Sequence, residues 1–349
     1  MGIKPINIDR INRILIRSTN WIGDAVMTTP AIRAIRKNFP QAEISILAKP
    51  WVLSVFEHNP HVDRCIVYDS EALHRGLSGK IKLVRDLKQY RFDTAILLQN
   101  AFEAAFISFF AQIPCRIGYN TDARGPLLSH AVPLSKEIKK KHQTAYYLDI
   151  LRGVGLDTDG QALTLVVGDK YENKADEILN LHGISPGDKL VGINPGATFG
   201  PAKQWFPERY AELTDQIQEA FGAQIILFGG PGDSETGIKI SEMMRHPPIN
   251  LSGKTDLGEA MALIKRCSLF ITNDSGLMHV AAALHVPLIA IFGSTNPTTT
   301  GPWSNKSRII KIPAECSPCL KPECPEKHFH CMEQISVKMV FGVVKEIFR

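Results

Sequence analysis

No stretch of this chain is apolar for long enough to cross a membrane. The uncharged stretch Leu277 to Gly293 contains two histidines and Pro287 and divides into a helix-like and a strand-like part. The segment Met1–Asn7 lacks the apolar core of a secretory leader, so a cytoplasmic chain is expected. Seven cysteines in that compartment argue against a disulfide framework, and Cys65, Cys115 and Cys267 stand in or beside apolar strands and read as core. Aromatic residues make up only 8%, with no dense basic-aromatic stripe and no DNA-binding motif, so nucleic acid is not the expected partner. The turn after the first apolar strand, Ser18-Thr19-Asn20-Trp21-Ile22-Gly23-Asp24, lacks the three-glycine fingerprint, which argues against NAD or FAD there. The one Asp-x-Asp, Asp157-Thr158-Asp159, stands beside Gly160 and reads as a polar turn rather than a metal–nucleotide motif.

What is present is a chain of 349 residues, 44% of them apolar, enough for two ordinary domains with full cores. Short, nearly continuous apolar strands alternate with helical patterns in both halves. In the first half the strands are Arg13 to Arg17, Glu43 to Ala48, Cys65 to Tyr68 and Thr94 to Leu98, with a helix expected from about Ala25 to Asn38. In the second they are Leu190 to Ile193, Gln224 to Phe228, Leu269 to Thr272 and Leu288 to Phe292. Such strands between helices indicate parallel sheets buried on both faces. The expected architecture is α/β, with two doubly wound Rossmann-like domains, 1–165 and 166–349, facing a central cleft. The last helix, about 336–348, could pack on either domain. The net charge of +5 is uneven: residues 1–165 hold 22 Lys/Arg against 15 Asp/Glu, and residues 166–349 hold 18 against 20. A basic first half points to an anionic partner.

Three strand-to-helix turns in the second half suit phosphate. Asn273-Asp274-Ser275-Gly276-Leu277-Met278-His279 opens an apolar helix, where backbone N–H groups and the helix dipole favour an anion. The alternative is that Asp274 or Ser275 merely caps that helix. The loop Asn194 to Trp205 offers Gly196, the Thr198 hydroxyl and the Lys203 charge, and Phe228 to Glu235 is a third glycine-rich turn. In the first half Asp24 lies near the carboxyl end of the first strand, where open α/β sheets bind ligands. It reads as an N-cap or a general base. Cys316-x2-Cys319-x4-Cys324-x6-Cys331, with His328 and His330 inside it, is compatible with a structural zinc but lacks the paired spacing of a zinc ribbon.

Trp21-Ile22-Gly23-Asp24 with Thr28-Thr29-Pro30, the Gly196 to Trp205 loop, and Asn273 to His279 with Phe292-Gly293-Ser294-Thr295 together resemble glycosyltransferase family 9. These are the bacterial ADP-heptose–lipopolysaccharide heptosyltransferases of GT-B fold, and the resemblance covers essentially the whole chain. Within the family, the Trp-Ile-Gly-Asp form and the cysteine-rich tail most resemble the heptosyltransferase II type, with types I and III as alternatives. The resemblance implies that Asp24 is the base that deprotonates the acceptor hydroxyl and that Lys203 contacts the donor phosphates, with Thr198 nearby. It implies that Asp274, Ser275, Gly276, Leu277 and His279 hold the donor nucleotide and sugar. Glu235, or Asp233, would serve as the adenosine-side acid. It further implies ADP-heptose as donor, a lipid A–inner-core acceptor, inversion of configuration, no catalytic metal or cofactor, and peripheral contact with the inner face of the inner membrane. Lys139, Lys140 and Lys141 are the candidate acceptor-side charges. Competing classes are a nucleotide-sugar epimerase that does not use NAD and a non-catalytic module whose Cys/His tail engages nucleic acid.

Overall fold

A computed structural model describes residue 6 and residues 11–349. Apart from Ile6, the segment Met1–Asn7, on which the expectation of no secretory leader rests, lies outside the described residues. The chain forms two compact units, Met1–Val166 and Val167–Arg349. Among the described residues no helix is long and apolar enough to cross a membrane.

The first unit is a parallel six-stranded sheet built from β1 (Arg13–Arg17), β2 (Glu43–Ala48), β3 (Arg64–Val67), β4 (Thr94–Leu97), β5 (Cys115–Tyr119) and β6 (His130–Val132) in the order β3-β2-β1-β4-β5-β6. Its register runs from Ile14 beside Ile44 to Ile14 beside Thr94 across β1. The helices are α1 (Ile22–Met27), α2 (Thr29–Asn38), α3 (Gly76–Gln89), α4 (Phe102–Phe110) and α5 (Gln143–Arg152). The single helix expected from Ala25 to Asn38 is two helices. At the junction, Thr28 Oγ1 donates to the Ala25 carbonyl at 2.6 Å and Thr29 Oγ1 to the Val26 carbonyl at 2.8 Å. Pro30 then brings no N–H to continue the ladder, so a second helix starts.

The second unit repeats the plan with β7 (Leu190–Asn194), β8 (Gln224–Leu227), β9 (Ile249–Asn250), β10 (Leu269–Asn273), β11 (Leu288–Phe292) and β12 (Ser307–Lys311), ordered β12-β11-β10-β7-β8-β9. Counted within its own unit, this is the same strand order as the first. Its helices are α6 (Asp169–Leu181), α7 (Pro207–Phe221), α8 (Ser234–Met243), α9 (Leu257–Arg266), α10 (Gly276–Ala283), α11 (Pro297–Thr300), α12 (His330–Glu333) and α13 (Val337–Ile347). Gly222 ends α7 with φ of 63°, a left-handed conformation that glycine adopts without a Cβ penalty. The last helix, expected on either domain, packs in the second: Val337, Val340 and Val344 of α13 join Leu213, Ile217 and Ile291 in one buried cluster. In both sheets the connections diverge between the first and fourth strands of the unit, β1 and β4 or β7 and β10. Doubly wound sheets bind ligands at the carboxyl ends of those strands.

Candidate functional site

In the second unit, two asparagines end the central strands and lock the loops beyond them. Asn194, last in β7, donates through Nδ2 to Thr272 Oγ1 at 3.0 Å and to Ser275 Oγ at 2.7 Å. Asn273, last in β10, accepts from the Trp205 N–H at 3.1 Å and the Tyr210 hydroxyl at 2.9 Å, and donates to the Pro195 carbonyl at 2.6 Å. The loop after β7 and the turn after β10 are therefore fixed to one another. They bring Lys203 to Asp274, Nζ to Oδ2, at 2.7 Å. Thr295 Oγ1, from the turn after β11, donates to the same oxygen at 2.6 Å. Asp274 is 5% exposed and the Lys203 side chain 14%, so the ion pair lies largely out of water, and the hydroxyl adds a further bond to the carboxylate.

The simple capping role is not what these residues play. The Asp274 carboxylate turns to Lys203 and Thr295, and the Ser275 hydroxyl is engaged by Asn194 and Thr272. Helix α10 consequently begins at Ser275 without a side-chain cap. Its positive end, with half-buried Gly276 and Leu277 in the first turn, stands in the same turn as the carboxylate that holds Lys203. His279 is buried one turn further along. The Lys203 ammonium also lies 4.8 Å from the centroid of the Phe199 ring, and Thr198 beside it is exposed. One cation and one helix N-terminus together make an anion site.

The cysteine-rich segment buttresses these loops. Ala202 N–H donates to the Pro322 carbonyl at 3.0 Å, Leu320 N–H to Ser294 at 2.8 Å, and Ser317 Oγ to Gly293 at 2.7 Å. Gly200, with φ of 147°, passes so close that a Cβ there would meet the Pro322 oxygen at 2.3 Å. Cys316, Cys319 and Cys324 are half-buried free thiols and Cys331 is buried. Burial chiefly, then the neighbouring cysteines Cys316, Cys324 and Cys319, pushes the Cys331 thiol up. Among the described residues no three His, Cys, Asp or Glu side chains are grouped to hold a metal ion.

The two acids of the third turn part company. Glu235, the expected donor-side acid, is 81% exposed and pairs with Lys239 on its own helix at 2.8 Å, so the structure does not bring it to this cluster. Asp233 instead folds back. It accepts from the Gly230 N–H at 2.9 Å, and its carboxylate lies so near Gly196 that a Cβ there would meet Oδ1 at 2.2 Å. Burial raises the Asp233 carboxyl above its ordinary value, with the Gly230 N–H pulling the other way.

In the first unit, Asp24 lies in the first turn of α1, whose N-cap is Trp21, so Asp24 is not the cap. Tyr147 of α5, 123 residues away, donates its hydroxyl to Asp24 Oδ1 at 2.9 Å. Burial first, then the Asp24 charge, holds the Tyr147 hydroxyl well above its ordinary value, so it remains a donor. Sequence reading missed Tyr147 because nothing local marks a partner at such a separation. Lys139, Lys140 and Lys141 are exposed on the short helical turn that leads into α5.

Residues 80–330 match the model of glycosyltransferase family 9 (heptosyltransferase). The chain is 34% identical over 309 residues to lipopolysaccharide heptosyltransferase 2 of Escherichia coli K12, covering 86% of this chain and 88% of that protein. It is 26% identical over 341 residues to lipooligosaccharide heptosyltransferase 2 of Campylobacter jejuni serotype O:6, covering 96% and 99%. The structure of E. coli ADP-heptose lps heptosyltransferase II superposes with a TM-score of 0.81 at 30% identity, over 96% of this chain and 98% of that one. The glycosyl transferase family 9 crystal structure from Veillonella parvula superposes with a TM-score of 0.89 at 27% identity, over 99% of each chain. Two parallel doubly wound sheets of this kind, with a cation and an uncapped helix start at the second switch point, thus agree with a match across most of the sequence: the chain belongs to glycosyltransferase family 9 and is a glycosyltransferase of the heptosyltransferase group.

Proposed function

We propose that the protein transfers L-glycero-D-manno-heptose from ADP-heptose to the heptose of the lipopolysaccharide inner core, the heptosyltransferase II reaction. The observation that carries this reading is the buried Lys203–Asp274–Thr295 chain beside the uncapped start of α10. The relatives' names agree: two proteins named heptosyltransferase 2 are 34% identical to this chain, against 26% for one named heptosyltransferase 3, although the Campylobacter heptosyltransferase 2 is also at 26%.

The chemistry follows from the groups. As the bond from the anomeric carbon to the diphosphate breaks, negative charge grows on the departing ADP. Lys203 and the α10 N-terminus meet that charge where it develops, and their geometry is fixed beforehand by Asp274, Thr295 and Asn273. A fixed cation supplies what a bound metal otherwise would, so the reaction is metal-independent. Asp24 takes the proton of the acceptor hydroxyl as that oxygen attacks, with Tyr147 orienting the carboxylate. One base and one displacement give inversion. Thr198, Ser275, Gly276, Leu277 and His279 surround the donor, and Asp233, rather than Glu235, serves as the acid on the nucleoside side. The acceptor is carried on lipid, so the protein works in the cytoplasm at the inner membrane surface.

The test is product analysis with ADP-heptose and a heptose-terminated lipid A core. A single added heptose with inverted anomeric configuration is the expected result. Epimerised nucleotide-sugar, or no product with a well-folded protein, overturns the assignment.

A further inference from the structure

Helix α4 of the first unit is inside out by size. Its small residues Ala104, Ala105 and Ser108, with Ile107, face the sheet, while its large side chains face outward. Phe102, Phe109 and Phe110 are 44%, 41% and 47% exposed. They are not scattered. Ring centroids run from Phe102 to Phe106 at 6.2 Å, Phe106 to Phe110 at 4.4 Å and Phe109 to Phe110 at 5.4 Å, a continuous aromatic stripe along the helix. Isolated exposed apolar residues need no explanation, but a contiguous set marks a surface that meets something.

The adjoining helix extends it. Lys80 of α3 reaches Glu103 of α4 at 2.7 Å, which places the two helices side by side and neutralises the only carboxylate of α4. On α3, Leu77 and Ile81 are 70% and 53% exposed, and the same helical face continues with exposed Arg85 and Lys88. Arg116 stands at the far end, its guanidinium carbon 5.2 Å from the Phe109 ring centroid. The surface is therefore aromatic and aliphatic at its centre and basic beside it, with Glu103 and Asp86 paired to Lys80 and Lys82 and Asp122 at the start of α4.

We infer that the α3–α4 face of the first unit docks on an anionic lipid surface, with the phenylalanine stripe in the headgroup–acyl boundary and Arg85 and Lys88 on acidic headgroups. The charge complementarity selects this occupant. Aromatic side chains enter the interfacial zone favourably, and exposed basic residues add attraction to acidic lipid without crossing the bilayer. The inference rests on the transferase reading in one respect: a lipid-borne acceptor gives the docking its purpose.

The experiment is co-sedimentation with vesicles of phosphatidylcholine alone and of equal parts phosphatidylcholine and phosphatidylglycerol. The intact protein should bind the anionic vesicles. Phe109→Ser with Phe110→Ser should weaken that binding by about tenfold, on any lipid that binds at all. Arg85→Glu with Lys88→Glu should weaken binding only to the phosphatidylglycerol vesicles. All these side chains are exposed, so the thermal midpoint should hold, and turnover of a water-soluble, delipidated acceptor should be unchanged in both variants. An intact protein that ignores anionic vesicles, or a phenylalanine variant that binds as well as the parent, overturns the inference. So does a dimer of the intact protein that the phenylalanine variant dissociates, since a second copy would then cover the face. Absence of turnover with the soluble acceptor would instead count against the transferase reading and leave the vesicle result standing by itself.

Discussion

The two units share one strand order and use its switch point for opposite purposes. At the end of the fourth strand of the first unit, Asp122 Oδ2 accepts the Phe102 N–H at 2.6 Å, so a carboxylate of the protein itself sits at the start of α4. The acceptors of that turn are taken as well: buried Arg124 donates to the Gln99 carbonyl and to Asn100 Oδ1. At the corresponding place in the second unit, Asp274 turns away to Lys203 and no side chain caps α10. The same fold position is filled internally in one unit and left without a side-chain cap in the other. What decides is where a single carboxylate points, not the topology. The turns after the first strands differ in a complementary way: the one in the first unit leads to a carboxylate held by tyrosine, and the one in the second to an ammonium held by aspartate.

The sharpest break of this comparison removes the proposed base of the first unit. Asp24→Asn should lower kcat by about a hundredfold to ten-thousandfold, the range general bases contribute. ADP-heptose affinity, measured by calorimetry, should stay within about twofold because the group acts on the acceptor hydroxyl. Transfer near the parent rate would show that the Tyr147-held carboxylate is only structural.

Removing the cation of the second unit should have a different signature. Lys203→Ala should cost about a hundredfold in kcat and weaken the donor as well, since one charge meets both bound diphosphate and leaving group. It also leaves Asp274 buried with Thr295 alone, which should lower stability by about 3 kcal/mol in denaturant unfolding. Excess chelator, in contrast, should leave the parent rate untouched. A rate that chelator abolishes and magnesium restores would transfer the electrostatic role from Lys203 to a metal.

A smaller effect separates the two acids near the third turn. Asp233→Asn should weaken donor binding by about tenfold, the worth of one hydrogen bond to a charged group. Glu235→Gln should leave it unchanged, because that side chain is in solvent with Lys239. The reverse result would restore Glu235 to the site.

Much of this was legible beforehand, and the exceptions have physical causes. Apolar strands of four to six residues follow from pattern, because parallel strands buried on both faces carry continuous apolar runs. Asp24, Lys203 and the Asn273 to His279 turn were visible because strand-to-helix turns are where such sheets bind ligands. The choice between Asp233 and Glu235 was not, since two acids two positions apart carry equal propensity and only the approach to Gly196 separates them. Tyr147 and Thr295 act through contacts distant in sequence. The outward stripe of α4 is not marked by its four phenylalanines, which carry no polar alternation to set a surface face apart from a core face. Only the small residues at 104, 105 and 108 reveal which face goes inward.

The least effect expected concerns the basic loop of the first unit. Residues 1–165 carry 22 Lys/Arg against 15 Asp/Glu, and Lys136, Lys139, Lys140 and Lys141 are all exposed where the chain enters α5, the helix that bears Tyr147. A lipid A core is anionic, so these charges can guide it toward the unit that holds Asp24 without touching the donor. Solvated lysines act over no more than a Debye length, about 10 Å at ordinary salt, and pair weakly. Replacing Lys139, Lys140 and Lys141 by glutamate should therefore raise the acceptor KM by only about fivefold at low ionic strength, and less as salt is added. Donor affinity and the kcat at saturating acceptor should hold, which separates this variant from Asp24→Asn and Lys203→Ala. An acceptor KM indifferent to both the reversal and the salt would leave the three lysines as ordinary surface. The electrostatic asymmetry between the units would then serve the α3–α4 face alone.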